Sequence, residues 1–263
     1  MTLGSREAAM IAYAQMRGWR TVRTGDLVEP LQISPQQERA LLDRLNRKRL
    51  IAQVRRGLYL LPERLPLGGQ WSPSEALALN TLMQDKQARY QVTGPSAFNR
   101  YGLDEQTPAQ LHVYNDRVSG RRTIGSVALT LIRVSDDRLG DTQTVTTPDG
   151  PVVYSSLART LMDAVYDWSR FDSLPRAYRW IEQELGAGRV RVRDLVHTAV
   201  RHGNQGTARR IGALLQRLGS RPGELMPLRR MLRSSSSLIS FVPDRRRRGP
   251  IDRQWGVVLN DQA

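Results

Sequence analysis

The stretch SPQQERALLDRLNRKRLIAQVRRGLYLLP, Ser34 to Pro62, leaves the backbone few choices. Ser34 stands before Pro35, and Gln37 follows three residues after the serine. That is the pattern of a capped helix start, with a hydroxyl to accept from an early backbone N–H and a proline where no N–H is needed. Leu41, Leu42 and Leu45 then fall on one face at 3.6-residue spacing, while Gln36, Arg39, Ala40, Asp43 and Arg47 fall on the other, flanked by Gln37 and Arg44. After Leu50 the period changes. Ile51–Val54 and Leu58–Leu61 predict two short strands around an Arg55-Arg56-Gly57 turn. An amphipathic helix with a basic outer face thus leads directly into a hairpin with a basic tip.

Upstream, Arg6–Met16 has loose helical spacing, and Thr24–Glu29 predicts a short helix that Thr24 would cap and Pro30 would end. The order is then helix, short helix, helix, hairpin, which is that of a winged helix-turn-helix. In such a domain Gln36, Gln37, Arg39, Arg44 and Arg47 would reach base edges, since glutamine can pair with adenine and arginine with guanine. Ala40 would allow close approach or touch a thymine methyl. Ser34 marks a helix N-terminus whose free N–H groups suit a phosphate. Arg55 and Arg56 would project from the wing, and Arg20 and Arg23, with Thr24, would hold phosphates. Asp43 opposes this reading unless it meets a cytosine or orients Arg39 and Arg47. The competing reading of the helix is a solvated basic face with ordinary i, i+4 pairs.

The stretch Pro62–Ser74 is rich in proline and glycine and lacks periodicity, which predicts a linker over 63–73 between domains 1–62 and 74–263. Beyond it, helices are expected at Ser74–Gln84, after Gly94, and at Ser156–Tyr166, Leu174–Leu185, Val192–His202 and Thr207–Leu218. Strands are expected at Tyr90–Thr93, Leu111–Tyr114, Ser126–Val134, Val152–Tyr154 and Trp255–Leu259. The expected class is α+β: a winged helix followed by a larger α/β domain.

Charge follows the same division. The net charge is +15, with residues 1–62 at +6, residues 63–188 at −2 and residues 189–263 at +11. Basic ends around a neutral middle point to a polyanion partner at two places. The second place comprises Arg209, Arg210, Arg229, Arg230, Arg233 and the run Arg245, Arg246, Arg247 and Arg248. It is either a second nucleic-acid or partner surface or a solvated charge run.

Catalytic readings are weak. With no cysteine there is no disulfide, thiolate or Cys-ligated zinc. His112, His197 and His202 lack metal-ligand spacing, so neither metal nor cofactor is expected. Ser96 in GPSAF lacks the second glycine of a nucleophile elbow. Gly125-Ser126 with Asp136-Asp137 faintly resembles a nucleotidyltransferase metal site, but adjacent carboxylates in a strand would face opposite ways. Lys86 follows Asp85 at a polar helix end and Lys48 sits within the amphipathic helix, so neither has the strand-borne Asp…Glu-x-Lys arrangement of a metal-dependent nuclease. The expectation is a non-enzymatic, cytoplasmic protein, without a membrane span or secretion signal.

Six segments, RGWRTVRTGDL, LDRLNRKRLIAQVRRGLYLLP, YQVTGPSAFNRYGL, VYSSLARTLMDAV, TARRIGALLQRLG and RQWGVVLN, resemble in order and spacing the AbiEi-type antitoxins. These are autorepressing partners in type IV toxin–antitoxin and phage-abortive-infection operons. The resemblance implies a winged helix that binds inverted repeats in its own promoter, as two molecules or one homodimer. It also implies a second domain that counters an AbiEii-type nucleotidyltransferase toxin, with or without direct binding. The Arg245–Arg248 run and the serine run Ser234–Ser237 have no place in that pattern. A regulator whose second domain senses a ligand or partner, with no toxin, is the alternative.

Overall fold

The computed structural model describes residues 3–66, 69–232 and 237–261 of a mixed α+β chain. The first unit comprises α1 (Ser5–Met16), β1 (Thr21–Arg23), α2 (Pro35–Arg47), β2 (Ala52–Arg55) and β3 (Leu58–Leu60). The strands form an antiparallel sheet in the order β1-β3-β2. The cap at Ser34 forms as its residues demand: Ser34 Oγ accepts from Gln37 N–H at 3.2 Å, and Gln37 Oε1 accepts from Ser34 N–H at 2.9 Å.

The short helix expected at Thr24–Glu29 is absent, and successive turns occupy residues 24–32. Glu38 anchors these turns from its fully buried position on the inner face of α2. Its carboxylate accepts from Gly25 N–H at 2.7 Å and Leu27 N–H at 2.9 Å. Gly25 sits at φ +109, where a helix cannot run. The carboxylate gives a buried partner to these N–H groups, which the first turn of a helix would have left without an intrahelical carbonyl. Leu27 is thereby pressed into the core beside Leu41, Leu42 and Leu45.

The second unit is built on a six-stranded sheet, ordered β6-β7-β5-β4-β9-β8. Its elements begin with α3 (Glu75–Asp85), β4 (Tyr90–Val92), α4 (Gly94–Arg100), β5 (Leu111–Asn115), β6 (Gly120–Ile124) and β7 (Val127–Arg133). A 3-10 turn at Asp136–Arg138 leads to β8 (Thr142–Thr147) and β9 (Gly150–Ser155). Helices α5 (Leu157–Tyr166), α6 (Trp168–Phe171), α7 (Arg176–Gly186), α8 (Val192–His202), α9 (Gln205–Arg217) and α10 (Pro222–Met231) follow. A small sheet of β10 (Ile239–Ser240), β12 (Val257–Val258) and β11 (Ile251–Asp252) ends the chain, in the order β10-β12-β11. β1, β6, β8, β10, β11, α6 and α10 were not anticipated from sequence: β1, β10, β11 and α6 are two to four residues long, and β6 and β8 are mostly exposed with few apolar positions.

The hairpin β2–β3 joins the two units. Tyr59, with Ile51 and Leu61 flanking the strands, packs into the core beneath α1 and α2. Ala52, Val54, Leu58 and Leu60 face the other way and share a core with Leu79, Leu82 and Met83 of α3 and with Val113 and Leu129 of the large sheet. Residues 63–73 therefore connect two bodies that share a hydrophobic interior rather than two that hang free. Each of the Val, Leu and Met side chains among these stabilises the junction by roughly 1.5–3 kcal/mol when fully buried. A partly exposed ion pair typically contributes about 0–1 kcal/mol. Apolar burial thus holds the junction, and the charges around it fix its register.

On the opposite face of the large sheet a buried polar cluster orders the loop before β8. Arg159, fully buried, donates from Nε to Asp163 Oδ2 at 2.9 Å, from Nη2 to Arg138 O at 2.7 Å and from Nη1 to Gly140 O at 3.2 Å. His202 packs beside it, with Nδ1 2.9 Å from Asp137 O. At the C-terminal end Trp255 lies against Gly212 of α9, where an added Cβ would meet the indole at 2.3 Å. Its Nε1 donates to Gln216 Oε1 at 2.9 Å. Two of the segments read as family-like, TARRIGALLQRLG and RQWGVVLN, are thus packing partners.

Two expectations follow for stability. Replacing Glu38 with Ala leaves two N–H groups without their carboxylate and should destabilise the chain by about 2–4 kcal/mol in urea unfolding; an unchanged midpoint would contradict that role. Burial, with Arg159 nearby, holds the His202 imidazole below its ordinary pKa. The unfolded chain therefore takes up a proton first as pH falls below about 6.5, and stability should decline there. Measured as unfolding free energy against pH, the decline should be shallower in His202→Gln.

Candidate nucleic-acid interface

The outer face of α2 is open. Gln36, Gln37, Arg39, Ala40, Asp43, Arg44 and Arg47 are all exposed, as is Ser34 at the helix start. They are carried by a helix whose other face is fixed by Glu38, Leu41, Leu42 and Leu45. Lys48, at the helix end, donates to buried Glu7 of α1 at 2.7 Å and ties the two helices together. That bond, followed by the Gly4 backbone N–H, lowers the Glu7 pKa.

The exposed residues differ in how free they are. Arg47 has no ion-pair partner among the described residues, and Arg39 donates only to the Pro35 carbonyl one turn back, at 3.2 Å. Gln37 uses its side-chain oxygen in the helix cap and keeps its amide N–H groups. Arg44 leans toward Glu7, Nε to Oε1 3.5 Å, with its side chain 51% exposed. Asp43 accepts from Tyr59 O–H at 3.4 Å and forms no ion pair with Arg39 or Arg47, so it does not orient them.

The hairpin tip corrects part of the sequence reading. Arg56 is exposed. Arg55 instead turns back onto the second unit, donating to Asp85 from Nε at 2.7 Å and from Nη2 at 2.6 Å. Asp85 ends α3, where the helix dipole disfavours a carboxylate, so it requires cations around it. The Arg55 bond lowers its pKa, and Lys86 and Arg23 stand at 3.6 Å and 3.5 Å. Arg20, expected on a phosphate, pairs with Glu63 and with Asp149 at 2.6 Å. Asp149 in turn accepts from Ser74, the cap of α3, at 2.6 Å. Arg23 is more than half exposed despite its neighbour. Thr24 is exposed and backbone-bonded to Gly57 O at 3.1 Å. Arg20 and Arg55 are thus interface residues that fix the hairpin on the second unit.

The C-terminal cations divide similarly. Arg209 is buried and donates to Ser237 O at 2.9 Å. Arg210 is half-buried, bonded to Ser240 O at 3.2 Å, and burial lowers its pKa. Neither presents an open cation. Arg229 and Arg230 are exposed on α10. Arg245, Arg246, Arg247 and Arg248 are exposed on an ordered loop, because buried Asn260 donates to Val242 O, Arg245 O and Arg246 O. Arg233 and Ser234–Ser236 lie outside the described residues.

The residues weighed for catalysis are dispersed. Ser126 and Asp136 lie beyond opposite ends of the seven-residue β7, roughly 20 Å apart at strand rise. Asp141 approaches both His202 Nε2, at 3.5 Å, and His197 Nδ1, at 4.0 Å, but Arg201 crowds the same carboxylate at 3.8 Å. No metal-binding group of three such side chains occurs among the described residues, and no helix among them is long and apolar enough to cross a membrane.

Sequence reading overlooked Arg49 and Gln53, which extend the polar surface past the end of α2. The signal was present for Arg49: Arg47-Lys48-Arg49 is a basic helix end. Arg49 adopts φ +55 there, with N–H donating to Asn46 O at 2.9 Å.

Comparison with known proteins places this geometry in context. A model of a family of unknown function, DUF6088, matches residues 27–142, less than half of the chain. No curated protein matches. Among solved structures, the RV2827C protein from Mycobacterium tuberculosis is similar over 97% of this chain and 92% of that one, with a TM-score of 0.61 and 13% identity. That likeness concerns the fold and extends across both units.

The division between Arg55 and Arg56 is testable. Arg55→Ala should lower unfolding free energy by about 1–3 kcal/mol and leave the salt dependence of duplex binding nearly unchanged. Arg56→Ala should leave stability nearly unchanged and reduce the salt slope by about one ion. The reverse pattern would refute the assignment.

Proposed function

We propose that the chain is a sequence-specific duplex-DNA-binding regulator that acts by a winged helix-turn-helix. In this reading α2 enters the major groove and Arg56 reaches a flanking phosphate. The observation that carries the reading is the outer face of α2: two glutamines, the small Ala40, and Arg39 and Arg47, which have no carboxylate partner among the described residues. All stand on a helix whose opposite face is anchored by a buried carboxylate and three leucines. A merely solvated basic helix would be expected to pair those arginines with Asp43, and it does not. The turns at residues 24–32 take the place of the usual second helix.

The further reading is an autorepressor and antitoxin of AbiEi type in the cytoplasm, acting on inverted repeats in its own promoter against an AbiEii-type nucleotidyltransferase toxin. It rests on the order of the six resembling segments. Its work would be binding rather than catalysis. A regulator whose second unit senses a ligand and has no toxin is the rival, favoured by a cleft at the junction of the two units. A neighbouring nucleotidyltransferase reading frame, and rescue from its toxicity by co-expression, separate the two.

Fluorescence anisotropy with the chain's own promoter and a scrambled duplex tests the DNA reading. The wild type should prefer the promoter, and Arg39→Ala should lose about 1–3 kcal/mol of that preference. Equal affinity of the wild type for both duplexes would sink it.

A further inference from the structure

A cleft of about 520 Å³ opens where the end of α2 meets the second unit. One wall is Asn46, Arg47, Arg49 and Gln53; the other is Trp71 and the β6–β7 turn at Gly125-Ser126. The walls are held at close quarters. Trp71 N–H donates to Arg49 O at 2.7 Å, and Ser126 N–H donates to Ser72 Oγ at 2.8 Å. Gly125 sits at φ +62, with its Cβ position 2.6 Å from Ser72 Oγ and 2.7 Å from Pro73 Cδ, so only glycine admits this approach.

The chemistry of the lining is specific. It holds two guanidiniums and no carboxylate. Arg47 and Arg49 have no ion-pair partner among the described residues, whereas several other arginines of this half, Arg20, Arg23, Arg44 and Arg55, do. The C-terminus of α2 itself repels anions, so the attraction must come from these side chains. Beside them stand a half-buried indole and three side-chain amides, those of Asn46, Gln53 and Gln70. Asn46 Oδ1 accepts from Gln53 N–H at 3.1 Å, which leaves its NH₂ to donate; Gln53 Nε2 donates to Tyr59 O–H at 3.3 Å, which leaves its carbonyl oxygen to accept.

Two cations without carboxylate partners, a flat apolar surface, and amides that offer both a donor and an acceptor match a phosphate, a planar ring and a hydrogen-bonding base edge. The volume lies within the range of small-ligand sites. We infer that this cleft binds a nucleoside monophosphate, with its phosphate on Arg47 and Arg49 and its base against Trp71. Binding does not depend on the DNA-regulator reading. One consequence does: a nucleotide that engages Arg47 withdraws it from the duplex and weakens operator binding.

Isothermal titration of the full chain with AMP, GMP, CMP and UMP, without DNA, tests the inference. Adenosine, guanosine and inorganic phosphate serve as part-ligands. One nucleotide should bind at one site per chain, and its parts at least about tenfold more weakly. Arg49→Gln, which keeps a Cβ at the same backbone angle, and Trp71→Leu should each weaken it by about tenfold or more, with circular dichroism confirming the wild-type fold. No nucleotide binding at millimolar concentration, phosphate binding as tightly as the nucleotide, or affinity unchanged in folded Arg49→Gln would each overturn it. Promoter anisotropy with and without the bound nucleotide then reads the coupling separately: failure of the nucleotide-free wild type to bind the promoter would count against the regulator and not against the site, and promoter affinity unchanged by saturating nucleotide would overturn the coupling.

Discussion

Burial of the β2–β3 hairpin on both of its faces is the constraint on which the rest depends. A three-stranded sheet beside two helices has one inner face to cover, and here Tyr59, Ile51 and Leu61 cover it. The outer face would then lie in water. It carries Ala52, Val54, Leu58 and Leu60 instead, and these need α3 and the large sheet against them. The first unit is consequently fixed in orientation, and the ion pairs Arg55–Asp85 and Arg20–Asp149 lie around a seam already closed by apolar contact.

Fixing the hairpin leaves the outward side of α2 to solvent and determines which cations are free. Arg20, Arg23 and Arg55 meet carboxylates of the second unit; Arg39 and Arg47 on α2, and Arg49 past its end, meet none among the described residues. The proposed division of labour follows from this geometry. Arg39 and Arg47 are available for recognition, Arg56 for a backbone contact, and Arg55 for architecture. A duplex seated on α2 would also stand next to the junction cleft, so the second unit would influence DNA binding through a rigid neighbour and not through a tethered one.

Much of the local structure was legible from sequence because it is encoded locally. The cap at Ser34-Pro35-Gln37, the leucine face of α2 and the hairpin around Gly57 each need only a few adjacent residues to specify them. α8 and α9 were legible through their periodicity. What was not legible depends on distant partners. Glu38 shares the face of Leu41, Leu42 and Leu45, so spacing alone places its carboxylate inside. Only the fold shows that two N–H groups 11 and 13 residues away await it, in the turns that stand where the short helix was expected. The continuous apolar run LYLL could have signalled a strand buried on both faces. Arg55 and Arg56 are adjacent and identical in type, and no local pattern separates the one that meets Asp85 from the one that meets water.

The absence of cysteine permits a direct test of the central geometric claim, that α2 seats on duplex DNA with its Arg39–Arg47 side inward to the groove. A chelated iron attached to a single cysteine introduced as Ala40→Cys cuts whatever backbone lies next to it. The account predicts discrete cleavage of the promoter duplex at the bound site, with no comparable pattern from the same reagent on Arg229→Cys in α10. Cleavage from Arg229→Cys alone, or none from Ala40→Cys while the complex remains formed, would contradict it.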